Sequence, residues 1–217
     1  MAENVTEQIG KITLDLTHYP GEDLYCDGKV EDELLSIVKD YAQVEYRQII
    51  EEKKSWPILY HLSPLRENIV DWIPMKHTEK VLEVGSGCGA ITGALSRKAG
   101  EVTCVDLSQK RSMINAYRHA ECENVTIHVG NFKDIEPDLP DNFDYIFLIG
   151  VFEYGQSYMG SKTPFEDFLN MIKKHLSWNL SHSRLTRLIR EYHSAESTIE
   201  ELVLVKLAGC KWGRRER

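Results

Sequence analysis

No run of the 217-residue chain approaches the length of a membrane-spanning helix, and Met1 to Glu7 carry neither a basic nor an apolar segment. A transmembrane protein, or a secreted one with an ordinary leader, is therefore not expected. Cysteine is scarce: five residues, odd in number and without a Cys-x-x-Cys pair. Cys26, Cys88, Cys104, Cys122 and Cys210 read as reduced thiols of a cytoplasmic protein, with no metal site. The Asn-x-Ser/Thr triplets at Asn4, Asn124 and Asn179 are then chance matches. Positive charge is also short, since 26 Lys and Arg stand against 34 Asp and Glu for a net charge of −8. A protein whose main business is the phosphate backbone needs the opposite balance. The balance disfavours nucleic acid and favours a small-molecule or protein partner.

What is present is an ordinary globular composition, 42% hydrophobic and 28% charged, at a length that suits one domain with a substantial core, or a domain plus a small cap. The chain is organised around Glu79 to Gly89. Val81, Leu82 and Val84 form a short apolar run ended by glycines, the pattern of a buried parallel strand breaking into a tight turn. Ala90 to Ala99 follow with helical spacing and Gly100 as the expected C-cap. Strand, glycine turn and helix in that order make a nucleotide cradle, because small residues let the backbone approach a ligand.

Before this stretch, Lys11 to Thr17 alternate as a short strand closed by Pro20-Gly21. Glu31 to about Lys53 have the apolar spacing of one long amphipathic helix or two short ones. Pro64 is expected to open a helix that closes at Trp72-Ile73, before Pro74. After it, Glu101 to Asp106 read as a second strand ending in an acid, and an acid there can accept hydrogen bonds from both hydroxyls of a ribose. Ser108 is better placed than Asp106 to cap the next helix, Gln109 to Glu121. Val125, Ile127 and Val129 alternate as a third strand that stops at Gly130-Asn131-Phe132. Phe143 to Gly150 form a fourth, apolar enough to be central. Thr163-Pro-Phe-Glu166 is a capping box opening a helix that runs to Leu176 with one apolar face.

Gly85-Ser-Gly87-Cys-Gly89-Ala90 satisfies the dinucleotide pattern G-x-G-x-x-G/A. It more fully resembles motif I of the class I S-adenosylmethionine-dependent methyltransferases, an acid, one residue, then G-x-G-x-G, with Glu83, Gly85, Gly87 and Gly89 in those places. The resemblance implies an α/β fold: a mainly parallel, doubly wound Rossmann-like sheet with an N-terminal helical cap. It implies S-adenosyl-L-methionine as cofactor, with Glu83, Gly85, Ser86, Gly87 and Gly89 around its amino-acid end. Asp106 is then the ribose acid, Leu107 lies near the adenine, and Asn131 and Phe132 meet the adenine's amino group and ring. Asp is commoner than Asn at that place; Asn still offers a carbonyl acceptor. Gly150 to Tyr154 correspond to the motif facing the transferred methyl group. Glu153 or Tyr154 is a candidate base there, although in-line displacement depends mainly on positioning, and no catalytic residue is assigned. Tyr60, His61 and Arg66 are candidates to approach the cofactor from the cap, with simple packing or solvation the more economical reading.

The resemblance implies three parts: cap helices over residues 1–74, a cofactor-binding core over 75–176 and an atypical tail over 177–217. The tail lacks the family's Pro-Gly-Gly-type turn and final hairpin. Arg184 to His193 suit a helix, and Leu202 to Leu207 a substitute strand, so the C-terminal strands are expected to be incomplete. Residues 177–217 carry a net +3 and the rest −11. One explanation is that this ending is not the family's original C-terminus, which would expose a sheet edge open to dimer formation. The expected activity is methyl transfer to an unidentified acceptor. A non-catalytic cofactor-binding or assembly module and an NAD(P)-dependent oxidoreductase are the alternatives.

Overall fold

The structure, a computed structural model, describes residues 5–23, 25–26, 28–151, 164–176 and 201–205. Seven strands among them form one sheet: β1 (Thr6–Ile9), β2 (Ile12–Asp15), β3 (Lys80–Val84), β4 (Glu101–Asp106), β5 (Val125–Val129), β6 (Tyr145–Ile149) and β7 (Glu201–Val205). Their spatial order is 1-2-5-4-3-6-7. The five inner strands are parallel, while β1 and β7 run antiparallel at the edges.

Burial on both faces explains why β3 and β6 read as continuous apolar runs. On one face Leu82, Val84, Ile146 and Leu148 pack with Phe168, Leu169 and Ile172 of the last described helix, α8 (Pro164–Lys174; the intervening helices are given below). On the other, Val81, Val102, Ile127 and Phe147 pack with Ala94 and Leu95 of α5 (Thr92–Lys98). β1 and β2 form a hairpin, and β2 continues the parallel sheet by pairing Leu14 with Ile127. The sequence pattern finds β2 but not β1, whose residues are exposed apart from Ile9.

The segment from residue 31 to 53 divides into α1 (Lys29–Asp40) and α2 (Tyr46–Lys53). The break lies where Tyr41 is extended and the Glu45 carboxylate accepts from the Ala42 amide at 2.8 Å. Then come α3 (Trp56–Leu62), a 3-10 turn over Pro64–Glu67 and α4 (Asn68–Asp71). The first three helices bury Leu34, Ile37, Val38, Tyr46, Ile49, Ile58 and Leu62 in a small core. That core touches the glycine turn at Cys88, and at Ile114 it touches α6 (Gln109–Arg118). A short helix, α7 (Phe132–Ile135), follows β5.

The helix expected from Ala90 begins at Thr92, because three left-handed glycines hold the turn open for longer. Ala99, not Gly100, is its C-cap; a Cβ on Gly100 would lie 2.2 Å from the His77 carbonyl oxygen, so close approach is what requires glycine there. The expected C-terminal strand is β7, and it lies along the outer edge of β6, pairing Ile149 with Glu201 through Tyr145 with Val205. The chain thus covers the edge that the shortened ending was expected to expose. Thr163 of the capping box, the candidates Glu153 and Tyr154, and the helix expected over residues 184–193 lie outside the described residues.

Candidate cofactor site

A cavity of about 440 Å³ opens at the C-terminal ends of β3, β4, β5 and β6, where ligands bind in open parallel sheets. The turn after β3 forms its floor. Gly85, Gly87 and Gly89 have φ of +75°, +51° and +73°, which favour glycine. The turn is tied to β4: the Gly85 and Ser86 amides donate to the Val105 carbonyl at 2.7 and 3.2 Å, and the Gly87 amide donates to Asp106 Oδ2 at 2.7 Å. A Cβ on Gly85 would fall 1.8 Å from Val151 Cγ2, whereas one on Gly87 would meet nothing within 4 Å. Gly87 therefore faces open space.

Asp106 ends β4 with its other oxygen accepting from the Ser108 amide at 2.9 Å. Each carboxylate oxygen keeps lone-pair capacity for a hydroxyl. Burial raises its pKa, and the two backbone amides oppose that rise. Ser108 caps α6 as the sequence suggests, accepting from the Arg111 amide at 3.2 Å. A second cap was not foreseen. Asp23, from the segment after β2, accepts from the amides of Gln109 (2.6 Å) and Lys110 (3.2 Å) and from the Ser108 hydroxyl (3.2 Å).

Glu83 is only 4% exposed. Its Oε2 accepts from the Thr92 hydroxyl at 2.7 Å, and Asn115 donates to that hydroxyl at 3.1 Å. Desolvation pushes the Glu83 pKa up to about 7, against the smaller lowering by Thr92 and Cys104. The far side of the turn is held by His119, whose pKa burial pushes down to about 3. The ring is thus neutral: Nε2–H donates to the Gly89 carbonyl at 2.9 Å and Nδ1 accepts from Gln43 at 3.1 Å.

Of the ten residues expected at the site, Glu83, Gly85, Ser86, Gly87, Asp106, Leu107, Asn131, Phe132 and Gly150 all line this cavity. Gly89 is not on its wall; its hydrogen faces α6, where a Cβ would lie 2.2 Å from Asn115 Oδ1. Asn131 also caps α7, accepting from the Lys133 amide at 3.1 Å. Tyr60, His61 and Arg66 line the cavity too, so the helical segment before β3 reaches it. Trp56, Pro57 and Arg111 were missed. Trp56 opens a helix too short for an apolar period, and the legible signal was Trp56 and Tyr60 four residues apart behind Pro57. α8 contributes Phe168, whose ring meets Phe132 edge-on at 5.6 Å.

A glycine floor, a strand-end acid and apolar side walls on a parallel α/β sheet are the arrangement that suits a nucleoside cofactor. A family model described as a methyltransferase domain matches residues 81–177, which hold these features. The match spans a little under half of the chain and marks it as a methyltransferase domain of the S-adenosylmethionine-dependent kind, whose cofactor is S-adenosyl-L-methionine. The small-subunit ribosomal RNA methyltransferase A of Borrelia garinii subsp. bavariensis is 29% identical over 121 residues, 52% of this chain and 43% of that one. The protein of the same description from Streptococcus pneumoniae strain P1031 is 26% identical over 158 residues, 65% of this chain and 52% of that one. The chain thus spans about half the length of the curated relatives it matches. Among solved structures, a methyltransferase from Thiobacillus denitrificans in complex with S-adenosyl-L-homocysteine aligns with a TM-score of 0.41. It is 19% identical and covers 52% of this chain and 44% of its own; a likeness at that level adds nothing to the assignment.

These relatives overturn one expectation. The acidic balance disfavoured nucleic acid as a partner, yet the similar proteins are ribosomal RNA methyltransferases. Net charge is a sum over the chain and does not report how its charges are distributed. No helix among the described residues is long and apolar enough to cross a membrane.

Proposed function

We propose that this chain transfers a methyl group from S-adenosyl-L-methionine to RNA. Residues 75–176 form the cofactor-binding core and residues 1–74 the cap, with the β1–β2 hairpin extending the core's sheet. The cofactor supplies an electrophilic methyl on a sulfonium. Gly85 and Gly87 admit it to the backbone, Asp106 accepts from the ribose hydroxyls, and Leu107, Asn131 and Phe132 take the adenine. Glu83 faces the α-ammonium. The observation that carries this reading is the convergence of nine expected residues on one cavity of about 440 Å³, an ordinary volume for a cofactor pocket.

The RNA acceptor is supported by the relatives and by the cavity mouth. Trp56 is 71% exposed there, with Tyr60 beside it at 6.1 Å between ring centroids, and unstacked bases of single-stranded RNA are taken on such faces.

Calorimetric titration with S-adenosylmethionine, S-adenosylhomocysteine and NAD tests the cofactor. Micromolar binding of the first two is expected, and its absence in well-folded protein rejects the reading. Label transfer from the cofactor to small-subunit ribosomal RNA tests the acceptor, beside protein and small-molecule acceptors. Label in either of those but not in RNA rejects the RNA acceptor, and cofactor binding with no transfer to any acceptor leaves a non-catalytic module. Trp56→Ala is expected to raise KM for RNA roughly 10-fold with cofactor affinity unchanged.

A further inference from the structure

We propose that Arg66 is the counter-ion of the cofactor's α-carboxylate, so that the cap is fastened to the cofactor by an ion pair. This rests on the cofactor reading above. The amino-acid end of S-adenosylmethionine is a zwitterion, and a cavity that takes it needs an acid for the ammonium and a cation for the carboxylate. Glu83 supplies the first.

Two arginines line the cavity. Arg111 is committed elsewhere: its Nε donates to Glu31 Oε1, its guanidinium lies 4.3 Å from the Tyr25 ring centroid, and it stands on α6 near Asp106, the ribose end. Arg66 makes no ion pair among the described residues, and its Nε is buried without a hydrogen-bond partner. Its guanidinium lies 4.2 Å from the Tyr60 ring centroid, which holds the plane in one orientation. An immobilised guanidinium with a buried, unused donor is the group that a carboxylate pairs with bidentately.

The position is also right. Arg66 sits in the turn that follows α3, and Arg118 ties α3 to the glycine turn by donating through Nη1 to the carbonyls of His61 (2.7 Å) and Cys88 (3.4 Å). The segment that carries Arg66 is thus pinned to the glycine turn that follows Glu83. Arg118 is spent on those carbonyls and does not line the cavity.

The test compares S-adenosylhomocysteine with 5′-methylthioadenosine, which keeps the nucleoside and the thioether but has no amino-acid end. Both are titrated into the full chain, wild type, Arg66→Ala and Arg66→Lys. The wild type is expected to prefer S-adenosylhomocysteine. Arg66→Ala should lose about 10- to 100-fold of that affinity, the range for a charge-assisted hydrogen-bonded pair, while its methylthioadenosine affinity stays as in wild type. Arg66→Lys should recover part of the loss. Equal S-adenosylhomocysteine binding by wild type and Arg66→Ala would overturn the assignment. An equal loss for both ligands would overturn it too, since that marks a collapsed cap. Wild-type protein that binds neither ligand would instead reject the cofactor reading itself.

Discussion

At the β4–β5 end of the cavity the acid and the start of the adjoining helix are already hydrogen-bonded. Both oxygens of Asp106 accept backbone amides, and the helix beside them is capped twice, by Ser108 from within and by Asp23 from the N-terminal segment. At the β3 end Glu83 is buried with a raised pKa, and across the same cavity Arg66 holds a buried donor with no partner. The proposed adenosine end is thus preorganised, and the proposed methionine end carries two opposite imbalances that a bound zwitterion would cancel. Preorganisation cuts the cost of binding; stored imbalance converts binding into a rearrangement of charge.

The largest expected effect breaks the first end. Asp106→Ala should weaken S-adenosylhomocysteine and methylthioadenosine alike, by at least roughly 100-fold, because two hydroxyl hydrogen bonds to a charged group are lost. Calorimetry reads it, and a loss confined to one ligand would place the ribose elsewhere.

The second effect concerns the other end. Glu83 in the folded protein titrates at about 7, above its ordinary 4.5, so the folded state keeps a proton that the unfolded chain releases across that window. Its contribution to stability is therefore full below about pH 4.5 and is lost as pH rises through about 7, on the order of 3 kcal/mol in all. Urea melts should show Glu83→Gln gaining on wild type between pH 5 and pH 8. Saturating S-adenosylhomocysteine should flatten the wild-type slope by placing an ammonium beside the acid. A difference independent of pH would mean that Glu83 is ionised throughout.

The smallest effect returns to the adenosine end. Asp23→Ala removes an outside cap of α6 and should cost about 1 kcal/mol in a thermal or urea melt, with equal and modest weakening of both ligands. Selective weakening of S-adenosylhomocysteine would blur the division between the two ends.

Much of this was legible because it is local. Glycines 85 and 87, the acid closing β4 and the apolar β6 declare themselves within a few residues. So does the order of strands and helices, since buried parallel strands leave continuous apolar runs. What escaped is non-local or irregular. Asp23 caps a helix whose first residue is Gln109, and no spacing rule links them. Gly89 fits the motif pattern but serves packing against Asn115. α3 is seven residues long, too short for its period to show. The direction of β7 depends on where the chain re-enters the sheet, which its own residues do not encode. The partner class was misjudged for a similar reason: a net charge summed over the chain carries no information about where its charges lie.

The pairing of β2 with β5 also bears on how the chain comes to be made. Residues 13–15 hydrogen-bond to residues 126–128, so β2 waits for about 110 further residues before its parallel neighbour exists. Until then Ile12 and Leu14, fully buried at the end, have only the hairpin for cover. Contacts of such sequence separation form late and slowly. The β1–β2 hairpin is thus among the last parts of the sheet to dock, and Asp23, just beyond it, reaches α6 only when that docking is complete.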